Sequence, residues 1–462
     1  MSSSTQQWVN DELSTLELGD KRRDQRARSI VKLFAARPGG TVPPMCDSAA
    51  EVKAVYRFLS NDDIDPDQIT AALGRTTAER IAEHELVVVA QDTTSLDFST
   101  RPATEGLGPT GGGDGSDGHG MFAHSAIAIS DDGVPLGLLH QQVWSRDPDA
   151  VGVKHQRKER AIEDKESYRW LQTATAVEAA VPEHVTLIQV ADRESDIFEL
   201  FAQPRREGSH LLIRAAQNRR VEAPQRHLWE QIEAAPLAAE FEILVRQSPH
   251  HTTRKAKVQL SFCAVTVRPP EHGKRDPALE PVTLSAVLVT EPDAPERVTP
   301  LRWLLLTDLP VADAGDAMTC LRYYQLRWLI ERYHFVLKSG CRIEDSQLRS
   351  FDALRRLLAL FSAVALRLLW IMYSCRADGD QPCTVAFSDV EWQVLYRQSQ
   401  LGPLPERPPP LRDVVLRTAK LGGFIARKGD GEPGVKVLWR GLMRLQDITI
   451  GFLLLTQDVG NA

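Results

Sequence analysis

The sequence predicts an α/β protein in which an antiparallel β block interrupts the core and helical segments flank it. Three observations predict this. Residues 86–90 (LVVVA) and 185–190 (VTLIQV) are short continuous apolar runs, the mark of strands buried on both faces. Between residues 221 and 310, FEILV, KVQLSFCAVTV, VTLSAVLV and WLLLT are separated by Pro- and Gly-bearing loops. The alternation in KVQLSFCAVTV is that of antiparallel sheet with one buried face. The two ends of the chain carry helical periodicity instead.

A chain of 462 residues is too long for a single core, so several domains are expected. The segments read as 1–65, N-terminal helical; 66–220, core; 221–320, β-rich insertion; 321–375, core resumed; and 376–462, C-terminal helical. With 42% hydrophobic and 25% charged residues the composition is that of a soluble globular protein. A net charge of −7 argues against a nucleic-acid partner at the level of the whole chain, but local patches decide phosphate binding. Six scattered cysteines without a C-x-x-C pair, and no N-terminal signal, point to reduced thiols in the cytoplasm and away from a zinc site. Residues 357–366 form the longest apolar run of the last third, and Arg367 interrupts it before 368–373. That is a buried helix rather than a membrane span.

Taken in order, Asp20 is placed to cap a helix that runs to the Pro38-Gly39-Gly40 stop. In it Lys21, Arg22, Arg23, Arg26, Arg28, Lys32 and Arg37 outnumber Asp20 and Asp24 seven to two. Such a run is either a solvated face or a phosphate-contacting one. Residues 49–60 supply a second helix. The 86–90 strand runs into Asp92, a costly place for a carboxylate unless a metal or a donor meets it; a strand-end cap is the plainer alternative. Residues 107–120 are glycine-rich. Residues 125–130 and 134–140, joined by Asp-Asp-Gly, read as a hairpin, and 163–180 as a helix carrying Trp170. The 185–190 strand runs into Asp192, either a metal ligand or an ion-pair partner of Arg193 or Arg214. Residues 210–216 form a strand with Arg214 at its end. His250-His251 reads as a loop pair, and Arg254, Lys255 and Lys257 face either phosphate or water. Residues 352–373 are an apolar helix, 401–413 a proline-rich connector, and 414–421 and 437–445 helices suited to packing on a second copy.

The stretch 324–338, YQLRWLIERYHFVLK, carries the densest chemistry. Wound as one helix at 100° per residue, it places Tyr324, Arg327, Lys338 and Glu331 within an arc of about 60°. Leu326, Leu329, Ile330, Tyr333, Val336 and Leu337 take the opposite side. A single carboxylate among cations suits a metal ligand beside a polyanion; the alternative is a surface helix with Arg327 and Glu331 as an i,i+4 pair. Asp92, Asp192 and Glu331 together are three parts of a divalent-metal site of the Mg²⁺ kind.

These residues resemble a known family. LGDKRR in the N-terminal helix, VYRFL (55–59), DTTSL (92–96), ADRESDI (191–197), RWLLLT (302–307), LGGF (421–424) and the spacing Tyr324-x2-Arg327-x3-Glu331-x6-Lys338 are similar to those of bacterial cut-and-paste DNA transposases of the DDE class, insertion-sequence-four type. The resemblance spans nearly the whole chain. It implies an RNase H-like core with Asp92, Asp192 and Glu331 as the catalytic, metal-binding triad, holding two Mg²⁺ ions for which Mn²⁺ can substitute. It implies DNA contacts from Arg193, Arg214, Tyr324, Arg327, Trp328 and Lys338, a base stacked on Trp303, and end recognition by Arg22, Arg23 and Arg26. It also implies double-stranded DNA as partner, a homodimer, no membrane, and action in the cytoplasm at the nucleoid. Ile330 stands where relatives carry a second glutamate. The activity expected is cleavage of transposon ends, through a hairpin, and strand transfer to target DNA. A metal-dependent nuclease that never joins, a non-catalytic DNA-binding regulator, and a carboxylate-pair sugar hydrolase are the rivals; the last leaves the cations unexplained.

Overall fold

The computed structural model describes residues 4–39, 41–111, 118–148, 160–222, 224–245, 254–271, 278–296, 298–399, 402–427 and 429–459. His250-His251 and the centre of the glycine-rich stretch lie outside the described residues. The chain forms two compact units: one of Met1–Glu83, Thr93–Val151 and Leu329–Ala462, the other of His84–Asp92 and Gly152–Trp328.

In chain order the elements are α1 (Ser4–Glu12), α2 (Lys21–Ala36), α3 (Val42–Met45), α4 (Ala49–Leu59), α5 (Pro66–Ile81), β1 (Leu86–Asp97), β2 (Gly108–Pro109), β3 (His119–Ser130) and β4 (Pro135–Trp144). There follow α6 (Tyr168–Ala180), β5 (Thr186–Ala191), α7 (Phe198–Ala202), β6 (Ser209–Arg214), α8 (Leu228–Glu233), β7 (Leu237–Val245), β8 (Arg254–Val267), β9 (Val282–Thr290) and β10 (Arg302–Thr307). The last are α9 (Ala314–Leu326), α10 (Trp328–Phe335), α11 (Phe351–Ala377), α12 (Asp389–Gln398), α13 (Leu411–Leu421) and α14 (Val435–Val459).

The first unit is built around α11, which packs on α2, α4, α5, α13, α14 and β4. Ser350 caps it, its side chain accepting from Ala353 N–H. By length and composition α11 could cross a membrane, but 83% of its most apolar window is buried inside the protein, so it is a core helix. Asp20 caps α2 as the sequence predicts, and Phe34 of α2 meets Phe361 at a ring separation of 5.1 Å. Asp65 with Pro66 starts α5. That helix lies against β4 so closely that a Cβ on Gly137 would fall 2.1 Å from Thr77 Oγ1. The hairpin β3–β4 forms as expected, with β2 on the far side of β3.

The second unit is one sheet in the order β1-β5-β6-β10-β9-β8-β7, with β1–β5 and β5–β6 parallel and the rest antiparallel. The inserted β block therefore extends the core sheet, because β10 returns antiparallel to β6. Trp170, Phe198, Phe201, Leu228 and Ile232 of α6, α7 and α8 bury one face with Ala191, Ile213 and Leu306. On the other face α9 packs against β5, β6 and β8.

Two expectations need correction. β1 does not end at Asp92 but runs to Asp97, because the β-branched Thr93 and Thr94 and then Leu96 continue a strand. The 324–338 stretch is not one regular helix. Arg327 closes α9, its N–H on Tyr324 O at 3.1 Å, and α10 ends at Phe335. Val336–Gly340 is then π-wound, with Cys341 N–H on Val336 O at 2.7 Å. The 100° wheel thus misplaces Lys338.

Candidate nucleic-acid and metal site

The site rests on a row of residues across the sheet of the second unit. The parallel ladder of β1 and β5 aligns Val88 with Ile188 and Ala90 with Val190. Two residues on lie Asp92, still within β1, and Asp192, just past the end of β5. The ladder of β5 and β6 aligns Ala191 with Ile213, so Asp192 is next to Arg214, and Arg214 pairs with Leu305 of β10. Residues in register share a face, and alternation puts Trp303 on it too, two residues from Leu305. This face is opposite the one buried under α6, α7 and α8. The carboxyl ends of parallel strands are where open α/β sheets bind ligands.

Asp192 is partly buried, and its Oδ1 accepts from Glu194 N–H at 2.9 Å, capping the short turn Arg193–Ser195. Among the described residues it forms no ion pair with Arg193 or Arg214, so the plainer reading of this carboxylate fails on geometry. Arg214 instead donates Nη2 to Arg302 O at 3.1 Å. Over this end of the sheet α9 brings Tyr324, 7% exposed, and Arg327, whose guanidinium lies 5.7 Å from the Tyr324 ring. Burial pushes the Tyr324 phenol up; the Arg327 and Arg214 cations oppose this and Asp192 adds to it. Burial holds the Arg214 guanidinium below its usual value; Tyr324 opposes this, and the like charges of Arg193 and Arg327 add to it. Arg193 and Arg327 thus sit within electrostatic reach of Arg214, and Arg214, Arg327 and Asp192 within reach of the Tyr324 phenol, a group of cations suited to a phosphodiester.

The Tyr324 hydroxyl is buried, with the Arg327 and Arg214 guanidiniums at loose hydrogen-bonding distance but none in normal geometry. Tyr324→Phe is therefore expected to change the thermal midpoint little while weakening end-DNA binding. A drop in stability of more than about 1 kcal/mol in a denaturant titration would show that the hydroxyl is satisfied in the free protein.

The remaining residues lie as follows. Glu331 is in the first turn of α10 in the first unit, partly buried, while its neighbours Leu329, Ile330 and Tyr333 are buried. Lys338, in the π turn, has Nζ 3.8 Å from Glu344 Oε1, which also accepts from Asp97 N–H at 3.0 Å. Trp328 is 52% exposed and Trp303 partly exposed. Arg22 and Arg26 are exposed on α2. Arg23 is not in the same state: it pairs with Asp63 and reaches Leu18 O at 3.4 Å, a structural tie that the charge count concealed. Replacing Arg22 and Arg26 by Ala is expected to weaken end binding and to lower the slope of log K against log salt by about 2, near 0.9 per phosphate contact. A filter-binding series at several salt concentrations checks it; an unchanged slope moves recognition off α2.

Among the described residues no three His, Cys, Asp or Glu side chains are gathered as a ready metal cage. The Asp92–Asp192 pair still fits a hard divalent cation. Neighbouring strands run about 4.8 Å apart, and Mg²⁺ is usually bound by one or two carboxylates with water and substrate phosphate completing the shell. Sequence reasoning missed Asp196, 2% exposed, which accepts from Ala216 and Gln217 N–H and from Arg219 Nε at 2.7, 2.9 and 2.7 Å. It joins the turn after Asp192 to the loop after Arg214. Its signal was a third acid in ADRESD, four residues past a strand-end aspartate.

Strand-borne acids beside a half-buried arginine cluster, on a mixed sheet flanked by helices, suit a DNA-processing enzyme, and the chain is a member of the DDE transposases. Three family models match it: Transposase DNA-binding over residues 5–64, Transposase DDE domain over 183–367, and Transposase Tn5 dimerisation domain over 363–453. The last makes it a transposase resembling that of Tn5, with an RNase H-like core, a DNA-binding N-terminal segment and a dimer-forming C-terminal one. Asp192 and Glu331 fall inside the DDE match; Asp92 lies outside it.

Proposed function

We propose that the protein, as a homodimer in the cytoplasm, pairs two transposon ends, cleaves them through a hairpin and joins them to target DNA. The observation that carries this is the β1–β5–β6 register, whose last pairs, Ala90 with Val190 and Ala191 with Ile213, lead into Asp92, Asp192 and Arg214. In this reading Asp92 and Asp192 hold divalent ions, Mg²⁺ by preference and Mn²⁺ in its place, and Glu331 completes the ligand set. Bound there, a pair of ions supplies activation of the attacking oxygen and stabilisation of the leaving one. The chain's own part is placement and charge. Arg193, Arg214, Tyr324 and Arg327 grip the phosphates beside the scissile bond, and Lys338 and Trp328 extend the contact. Trp303 receives a base turned out of the stack, a contact worth about 1–3 kcal/mol. Arg22, Arg23, Arg26 and their helix read the end sequence, Arg23 after release from Asp63. Incubation with the terminal DNA of its own element and Mg²⁺, followed by a denaturing gel, tests the proposal. Nicked and hairpinned ends are expected, and pre-cut ends should join a target plasmid. Cutting without joining would leave a nuclease.

A further inference from the structure

A buried polar chain runs beneath α10, the helix that carries Glu331, and no step of the transposition scheme uses it. Tyr333 has no exposed surface, and its hydroxyl donates to Ser362 Oγ of α11 at 2.7 Å. The same hydroxyl accepts from Gln141 Nε2 of β4 at 3.1 Å. Ser362 donates onward to Leu358 O at 2.8 Å. Gln141 also donates to Ser125 Oγ at 3.0 Å, its direct opposite in the β3–β4 ladder. Gln141, Ser125 and Ser362 are all buried. Burial pushes the Tyr333 phenol up to about 12, with the bonds to Ser362, Gln141 and Ser125 opposing, so it stays a donor at any working pH. Stability alone does not account for the chain. Gln141 Oε1 is buried without a partner, and a polar network left partly unsatisfied is less stable than apolar packing. What the network adds is direction, because a hydrogen bond fixes an angle that apolar contacts leave loose. The helix α10 needs such a tie. It is a piece of 8 residues, with Arg327 closing α9 before it and the π-wound turn starting at Val336 after it. No longer run of regular helix therefore fixes its rotation. Tyr333 and Glu331 lie two residues apart, about 200° round a helix. Holding the phenol on the buried side thus holds the carboxylate on the other.

We propose that Tyr333 is a positioning residue, its buried tie to Ser362 and Gln141 setting the rotation of α10 and with it the aim of Glu331 toward the divalent ion. This rests on the reading of Glu331 as a metal ligand. Mg²⁺ demands near-ideal octahedral geometry, so a small turn of one ligand weakens its hold. The test uses the full-length protein and reads two quantities: Mn²⁺ affinity of the complex with pre-cut end DNA, by electron paramagnetic resonance, and single-turnover cleavage of uncut ends in Mg²⁺. Tyr333→Phe keeps the ring, and Ser362→Ala removes one oxygen from a different helix. Each should bind Mn²⁺ several-fold more weakly and cleave about tenfold more slowly or worse, with end-DNA affinity unchanged. The double variant should be little worse than either single one, because both break the same tie. Glu331→Gln is the control. If it loses Mn²⁺ affinity and cleavage while Tyr333→Phe and Ser362→Ala keep both within about twofold, the positioning role is overturned and the ligand reading stands. A lowered thermal midpoint with unchanged Mn²⁺ affinity in those two variants would overturn it as well, since the tie would then serve the fold alone. If Glu331→Gln itself keeps both quantities, the ligand reading falls and the positioning role falls with it.

Discussion

Asp192→Asn is expected to lower cleavage of transposon-end DNA by roughly 10³-fold or more while leaving end binding nearly unchanged. The magnitude follows from the several kcal/mol that metal charge supplies to a phosphoryl-transfer transition state, at about 1.36 kcal/mol per tenfold in rate. The choice of asparagine matters. Asp192 has a structural duty, since its Oδ1 accepts from Glu194 N–H and caps the turn that carries Arg193. Asparagine keeps an oxygen for that bond and removes only the charge, so the fold and the phosphate contacts survive. Asp92→Asn should behave alike, because the β1–β5 register leads both carboxylates to the same face of the sheet. Single-turnover cleavage on a gel, with binding measured separately in Ca²⁺, resolves the two effects. Cleavage by either variant within tenfold of the unmodified rate would remove that carboxylate from the chemistry.

The sequence makes some of this geometry visible and hides the rest for physical reasons. Apolar strand runs and a capped basic helix are local signals, and β5, β6, α2 and α11 form where such signals lie. Register is not local. Nothing in LVVVA or VTLIQV says that Val88 meets Ile188 rather than Gln189, yet a slip of one residue would turn Asp192 to the face under α6. Winding is hidden in the same way: the π turn at Val336–Gly340 is set by packing, with Val336, Leu337 and Gly340 all buried. A π turn rotates less per residue than an α turn, so the arc assigned to Lys338 fails while that of Tyr324 and Arg327 holds. Arg23 shows a third limit, since a charge count cannot see that Asp63 sits across from it. Asp65-Pro66 is a readable helix-start signal, and α5 begins at it without a long apolar run.

Asp196→Ala is expected to destabilise the protein by about 3–5 kcal/mol, the usual consequence of removing one partner of a buried pair. Asp196 and Arg219 have side chains 0% and 6% exposed, and the carboxylate also receives the amides of Ala216 and Gln217. Its loss strands a buried cation and two backbone donors together. The Arg219 guanidinium lies 5.7 Å from the Phe201 ring, too poor a substitute for a carboxylate. Removing both charges, as in Asp196→Ala with Arg219→Leu, should recover part of the loss, because no unpaired cation remains. Urea titrations of the two single variants and the double one give the coupling directly. The pair also bears on the chemistry, because it ties the turn that follows Asp192 to the loop that follows Arg214. A destabilised but folded Asp196→Asn should therefore cleave more slowly per folded molecule, with its salt dependence of DNA binding unchanged. Single variants that lose less than about 1 kcal/mol would show that Asp192 and Arg214 are held in place by the sheet alone.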